Sequence, residues 1–534
     1  MDGTFWSLIP AIVMLILVVL TRKVLISIGT GIVVGALLLS NFHIGATLKE
    51  IWTVFYTIFY ANGSIETGNL LLISFLLFLG VLTAFLQASG GAKAFGDWML
   101  QRVRTRTGAE LMTAVIGLII FIDDYFNSLA VGQIARPVTD RQNISRAKLA
   151  YYIDSSSAPV TVIAPISSWG AYIIGILGSL FAVNGITTIQ PIEAFIQMIP
   201  LNFYAIASII LVFIVAYFHF DIGPMYTHEK RAREEGELLD PKRNQVSGDL
   251  GDVFDPHRDG KVFHLIIPII VLFIVTVIAM IGTGVRETEG SASIIDAFAN
   301  TDVNLSLIIG GVTAVLTSVI FHMKQRKPRS DMRRIFVEGF KTMIPAINIL
   351  ILAWMIGSII GELGTGSYLA GLVNNSSISA DYLPAILFII AGLMALATGS
   401  SWGTFGIMLP IAAEIMANTD MELFLPALAA VLAGAVFGDH CSPISDTTVL
   451  SATGAGAHHI DHVLTQLPYA FIAAFTALIG FFVVGLTHST WVALALTVIL
   501  LIGIVWFTQI LFIQRKKEGI LTKGLEYILV FQAF

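Results

Sequence analysis

Of the 534 residues only one is a cysteine, Cys441. A lone thiol excludes an intramolecular disulfide and any metal site built from several thiolates. Charge is scarce as well: Asp, Glu, Lys and Arg supply 12% of the chain, against about a quarter in a soluble globular protein. No GxxxxGK[ST] phosphate loop and no nucleic-acid signature occur. The opening Met1-Asp2-Gly3 lacks the basic n-region of a signal peptide, so the first apolar run reads as a retained span. The net charge of −6 carries little information, because in lipid the placement of Lys and Arg matters more than their sum.

What is present is apolar. Hydrophobic residues make up 56% of the chain, with a mean hydropathy of +0.83. Runs such as Ser7–Leu20, Val24–Leu39, Leu70–Leu86, Phe203–Phe218, Phe263–Ile281 and Trp491–Ile513 approach the ~20 apolar residues that cross a bilayer as a helix. The expected class is an all-α polytopic membrane protein.

One hydrophilic segment, Thr227 to Lys261, divides the chain into similar lengths, and its dense mixed charge reads as a solvated linker. The flanking halves resemble each other. "SLIPAIVMLILVVL" near Ser7 matches "LIIPIIVLFIVTVI" near Leu265, and Ser74–Met99 matches Leu350–Val373. Each half also carries one Ser-Ser-Trp-Gly, at Ser167–Gly170 and Ser400–Gly403, though at different points in the order. Positive charge then gives each half a direction. The loop Ser89–Gly108 holds Lys93, Arg102, Arg104 and Arg106, while its counterpart Gly361–Asp381 holds no Lys or Arg. The loop Phe321–Arg334 holds six, against Lys49 alone in Asn41–Tyr60. Equivalent loops with opposite bias lie on opposite faces under the positive-inside rule. The expectation is two inverted-topology repeats (1–226 and 262–488), a cytoplasmic linker (227–261) and an added C-terminal helix and tail (489–534). That arrangement needs about 11 spans, with the N-terminus outside and the C-terminus cytoplasmic.

Two segments are too long for one span and too short for two. Glu110–Arg136 is interrupted at "IDDYFN" and Leu383–Thr419 at "ATGSSWGTFG". Both read as re-entrant hairpins, one from each face. Irregular backbone at membrane depth is tolerated only inside protein or beside a water-filled cavity, so the breaks point to a site. Two further breaks are expected where proline follows an acid by four or five residues, at Asp154–Pro159 and within "FGDHCSPISDTTVLS", Phe437–Ser451. These are the expected broken helices.

Candidate ion-binding residues follow from these breaks: Asp123, Asp124, Asn127, Asp154, Ser155, Ser156, Ser157, Thr398, Ser400, Ser401, Asp439, His440, Ser442, Asp446 and Thr447. Hard oxygen ligands of this type suit Na+, with Asp124, Asp154, Asp439 and Asp446 as the candidate anchors. A carboxylate at membrane depth is a functional candidate by default, and burial favours its protonated form. An Asp that binds either Na+ or H+ couples the two by competition. Simpler readings stand beside these: one of Asp123 and Asp124, or Asp154, as a helix cap, His440 as a packed histidine rather than a proton carrier, Cys441 as a small packing residue. "AHHIDH", Ala457–His462, reads as a solvated turn or pH-sensing patch at a cytoplasmic helix end rather than a zinc site. GxxxG at Gly357–Gly361 and Gly434–Gly438 signals close helix packing weakly.

"FGDHCSPISDTTVLSATGAGAHHIDHVLTQLPYA", "FIDDYFNSLAVGQIARPVTDR" and "YYIDSSSAPVTVIAPISSWGAY" resemble the NhaC-type Na+/H+ antiporter family, within the broader ion-transporter superfamily. The resemblance covers nearly the whole chain apart from the linker. It implies a secondary transporter with inverted repeats and re-entrant hairpins, a homodimer, and an elevator-like movement. Its polar motifs fall on Asp124, Asn127, Asp154, Ser155–Ser157, Asp439, His440, Ser442, Asp446 and Thr447. No cofactor is implied beyond Na+ and H+ as coupling ions. The expected function is Na+/H+ antiport in the cell membrane. The alternative is Na+-coupled transport of a small organic solute, a carboxylate or amino acid, which an Arg or Lys at the breaks would favour and none provides. An enzyme, specifically an intramembrane aspartyl protease, has only the Gly438-Asp439 dipeptide behind it.

Overall fold

The structure is a computed structural model. It describes residues 4–517 except for 22, 62, 122, 166, 184, 243–245, 247–252, 289–296, 299, 327–329, 366–367 and 369–378. Parts of the linker, of the loops expected outside near 284–304 and 361–381, of the basic loop near 321–334 and of the tail after 517 therefore lie outside the described residues.

The chain is helical almost throughout. Helices α1 (Ile9–Thr21), α2 (Val24–Leu39) and α3 (Ile44–Thr57) lead through a minimal hairpin, Tyr60–Ala61 against Ser64–Ile65, into α4 (Thr67–Ala88) and α5 (Gly91–Leu100). Next come α6 (Arg106–Ile119) and α7 (Asp124–Arg141), α8 (Arg146–Thr161) and α9 (Ser168–Val183), then α10 (Pro191–Met198), α11 (Phe203–Phe218) and α12 (Pro224–Glu235). The second half runs α13 (Phe263–Glu287), α14 (Val303–Lys324), α15 (Met332–Glu362), α16 (Leu383–Thr398), α17 (Ser401–Thr419), α18 (Phe424–Cys441), α19 (Asp446–Ala455) and α20 (His459–Thr487). α21 (Thr490–Lys517) follows. Local chemistry starts several of these. Thr105, Ser145, Asp302, Asp331, Ser400 and Ser445 each accept a backbone N–H three residues on, which satisfies one of the open donors at a helix start.

Among the described residues eight helices are long and apolar enough to cross a membrane. The count is nine if the pair Pro191–Leu201 and Phe203–Phe218, bent by 51°, is taken as one. Four further apolar helices, within Phe5–Leu17, α2, α9 and α17, fall short of that length.

An order of elements occurs twice: two helices joined at a short break (α6/α7, α16/α17), then a helix interrupted and resumed (α8/α9, α18/α19), then a closing element, the bent pair α10/α11 in the first half and the long α20 in the second. The halves interlock, with α7 of the first packing on α19 of the second and α17 of the second on α9 of the first. Neither hydrophobic core belongs to one half. One gathers α8–α11 with α16–α18 and α20, the other α1–α5 and α7 with α13–α15 and α19. The GxxxG expectation divides. A Cβ on Gly434 or Gly438 would lie 2.2 and 2.0 Å from the carbonyls of Phe388 and Gly392, so α18 and α16 meet backbone to backbone, whereas Gly361 faces open space.

Three expectations need correction. The first unwound stretch is not at Asp154–Pro159. Those residues lie inside α8, with Pro159 near its end, and the break comes at 162–167 around Pro165. Pro159 removes one bond of the ladder, the one its N–H would make to Ser155 O, and α8 continues past it to Thr161. Secondly, the linker is not wholly solvated, because α12 is helical and buries Glu229 completely. Thirdly, "AHHIDH" is not a solvated turn, since His458, Asp461 and His462 are buried. The second broken helix does open where expected, at Ser442–Ser445.

Candidate functional site

The two helix breaks and the two hairpin breaks bring short polar segments together. Asp123 and Asp124 sit at the start of α7, and both are buried. The Ser168 hydroxyl, at the start of α9, donates to Asp123 Oδ2 at 2.8 Å. Asp124 is different: neither of its oxygens has a hydrogen bond of good geometry among the described residues, although the indole of Trp169 neighbours it. Asn127 donates from Nδ2 to the carbonyls of Gly117 (2.7 Å) and Ile120 (2.5 Å), which pins the end of α6 against α7. Its own Oδ1 stays unpaired.

The second half supplies a facing set. Asp439 Oδ2 accepts from Ser401 Oγ (3.0 Å) at the start of α17 and from Thr447 Oγ1 (3.3 Å) at the start of α19. Its Oδ1 is buried and unpaired. Asp446, the first residue of α19, takes the backbone N–H of Thr447 on Oδ1 (2.9 Å) and the Tyr125 hydroxyl on Oδ2. Asp446 is an electrostatic neighbour of both Asp124 and Asp439, Asp123 is one of Asp124, and Asp154 is one of Asp439 and Asp446, so the buried carboxylates form one connected set. Lys and Arg ion pairs lie with other acids among the described residues.

Asp154 differs from the others in its hydrogen bonding. It is fully buried and surrounded by donors: Ser451 Oγ (3.0 Å) on Oδ1, and Thr448 Oγ1 (3.3 Å), His462 Nε2 (3.1 Å) and Gln466 Nε2 (2.6 Å) on Oδ2. Because a carboxylate can only accept here, the His462 proton lies on Nε2.

The remaining expected residues separate by what their hydroxyls do. Ser156 and Ser157 return theirs to carbonyls of α8, and Thr398 to Met394 O. Ser155 is buried beside Tyr151. Ser400 caps α17, and Ser442 reaches across to Leu396 O at 2.9 Å. His440 Nδ1 meets the Tyr204 hydroxyl at 2.9 Å. Among the described residues no three His, Cys, Asp or Glu converge as a metal-ion group. A Na+ here would draw on one or two carboxylates together with hydroxyl, amide and carbonyl oxygens, the mixed set that transporter breaks supply.

Tyr125, Ser168, Trp169, Thr448, Ser451, His459, His462 and Gln466 belong to this region and were not among the expected residues. His459 Nε2 lies 2.7 Å from Pro443 O, inside the second break. The four-residue spacing of His462 and Gln466 was a readable sign of one helix face. The two Ser-Ser-Trp-Gly segments are not equivalent in the repeated order, yet they meet in space. Trp169 and Trp402 pack edge to face with centroids 5.6 Å apart.

An uncharacterized protein of Haemophilus influenzae is 48% identical over 509 residues, 95% of each chain. A malate-2H(+)/Na(+)-lactate antiporter of Bacillus subtilis is 29% identical over 195 residues, 36% of this chain and 40% of that one. The Na(+)/H(+) antiporter NhaC of Alkalihalophilus pseudofirmus is 29% identical over 182 residues, 34% and 38%. The Na+/H+ antiporter family profile matches residues 160–486, which include α9, the α16/α17 pair, α18, α19 and all but the last residue of α20, and the chain belongs to that family.

Proposed function

We propose that the chain exchanges Na+ for H+ across the cell membrane, by competition of the two ions for Asp124, Asp439 and Asp446. The observation that carries this reading is the orphaned oxygens: both of Asp124 and one of Asp439, buried, beside the unpaired amide oxygen of Asn127. An isolated charged carboxylate in such surroundings is costly and is relieved by a proton or by a cation. Either ion suffices, and binding of one removes the reason to bind the other.

The recurrence of hairpin, broken helix and closing element supports two repeats, and the opposed Lys and Arg bias of their loops supports inverted topology, with re-entrant hairpins and about 11 spans. In everted vesicles, Na+ should dissipate a preset pH gradient, and Asp439→Asn should abolish that response. Absence of any Na+ response in vesicles that contain folded protein sinks the reading.

A second reading is Na+-coupled movement of a small organic carboxylate. The starts of α7, α9, α17 and α19 all lie at the breaks, and helix N-termini favour anions. One relative is named as exchanging malate and lactate. Uptake of labelled dicarboxylates, lactate and amino acids into proteoliposomes, with and without Na+, separates the two.

A further inference from the structure

Of the four carboxylates expected to hold the ion, Asp124 and Asp439 keep buried oxygens without a partner among the described residues, Asp446 has one donor on each oxygen, and Asp154 has the most donors. Asp154 accepts four hydrogen bonds, two from α19 and two from α20. Thr448 and Ser451 are one turn apart on α19 and lie just beyond Asp446 and Thr447 on the same helix. From α20, Gln466 Nε2 donates both to Asp154 and to His440 O at 3.0 Å, one of the carbonyls left open where α18 ends. Ser128 of α7 adds a hydroxyl contact to Ser451 at 3.1 Å. One side chain of α20 thus ties α8, from the first half, to the end of α18, from the second.

We infer that Asp154, His462 and Gln466 form a clamp of positioning residues: the clamp holds the end of α18 and the start of α19 in register, and with them Asp439, Asp446 and Thr447, without itself carrying the transported ion. This rests on the reading that the other three carboxylates bind the ion. Donors fill the surroundings of Asp154 from two sides, whereas a cation ligand needs lone pairs left free. A buried carboxylate with this many donors is a satisfied hub, and such hubs specify one arrangement of the elements that meet there. The physical consequence is a loss of cation affinity, rather than of turnover, when the clamp is loosened. A carboxylate displaced by a fraction of an ångström still binds, but in a poorer geometry.

The test uses the full chain in proteoliposomes and reads Na+-driven proton movement. Gln466→Leu and Asp154→Asn should each raise the apparent KM for Na+ about tenfold while the maximal rate falls less than about threefold. Asp439→Asn should lose exchange altogether. His462→Gln, which still donates but cannot titrate, should stay near the native KM, while His462→Leu follows Gln466→Leu. The clamp is overturned if Asp154→Asn is as inactive as Asp439→Asn in folded protein, if His462→Gln is as impaired as His462→Leu, or if Gln466→Leu leaves KM unchanged. Should Gln466→Leu fail to fold, Thr448→Val removes one donor from the α19 side and is read the same way. If the native chain shows no Na+ response at all, the exchange reading itself falls. Hydrogen exchange then decides on the clamp: faster exchange of α19 amides in Gln466→Leu supports it, and unchanged protection overturns it.

Discussion

Tyr125, on α7 of the first half, donates its phenolic hydrogen to Asp446, the first residue of α19 in the second half. The bond joins the two interlocked halves at a carboxylate that is an electrostatic neighbour of both Asp124 and Asp439. A hydrogen bond to a buried charged group contributes about 1.5–3 kcal/mol. Tyr125→Phe keeps the ring and removes only that donor. The expected result is a folded protein whose Na+-dependent exchange falls about tenfold, the rate equivalent of about 1.4 kcal/mol. An unchanged exchange rate in proteoliposomes would show that Asp446 does not depend on this donor.

Asp124→Asn and Asp439→Asn should move stability and activity in opposite directions. Each carboxylate has at least one buried oxygen without a partner, so a neutral isostere removes a desolvation penalty without emptying space. Melting in detergent is expected to hold or rise slightly, while exchange falls at least about a hundredfold, or about 2.7 kcal/mol in barrier. A drop in melting temperature alongside lost transport would instead make these acids part of the scaffold.

The membrane class and the places of three of the four breaks were readable because lipid imposes simple rules: long apolar runs, and polar residues only where backbone is sheltered. Asp439, Asp446, Thr447 and Ser401 were legible for the same reason. What escaped was pairing across the interlock. Nothing in one chain read end to end says that Tyr125 faces Asp446, or that His462 and Gln466 reach back to Asp154, about 300 residues away. Pro159 misled for a local reason: it deletes one bond, to Ser155 O, and the fully buried α8 still runs on to Thr161. The charge of Lys230 to Glu235 concealed Glu229, because composition averages over a helix of which one face is solvated and the other docked.

The same GxxxG spacing should give opposite outcomes at two places. At Gly438 a methyl group would sit 2.0 Å from Gly392 O, a backbone atom that cannot rotate aside. Gly438→Ala should push α18 from α16 and cost about 1–3 kcal/mol, in line with overpacking. Gly361→Ala meets nothing within 4 Å and lies within α15, so it should be neutral or stabilise by up to about 1 kcal/mol. Thermal melts of the two purified variants decide this, and equal shifts would remove the distinction.

Behind the start of α8 lies a second buried polar cluster, built from charges rather than hydroxyls. Lys148 Nζ is buried and pairs with Asp221 at 2.8 Å, Glu110 at 3.2 Å and Glu229 at 3.7 Å. Arg106 pairs with Glu110 and Glu229, and Glu229 also accepts the Ser145 backbone N–H at 2.7 Å. This is how α12, at the start of the hydrophilic segment, is held against α6 and α8. Removing one member of a buried ionic cluster strands the others, at about 3–5 kcal/mol, so Lys148→Met should yield little folded protein. Glu229→Gln is milder: the amide oxygen can still accept from Ser145, while the charge that holds Arg106 and Lys148 is gone. The fold should persist and α12 should detach more often. Trypsin cleavage after Lys230, Arg231 and Arg233 is then expected to quicken about tenfold, because proteolysis of a folded protein follows local opening. Native-like resistance in Glu229→Gln would mean that apolar contacts such as Met225 and Ala232, both buried, suffice to dock the helix.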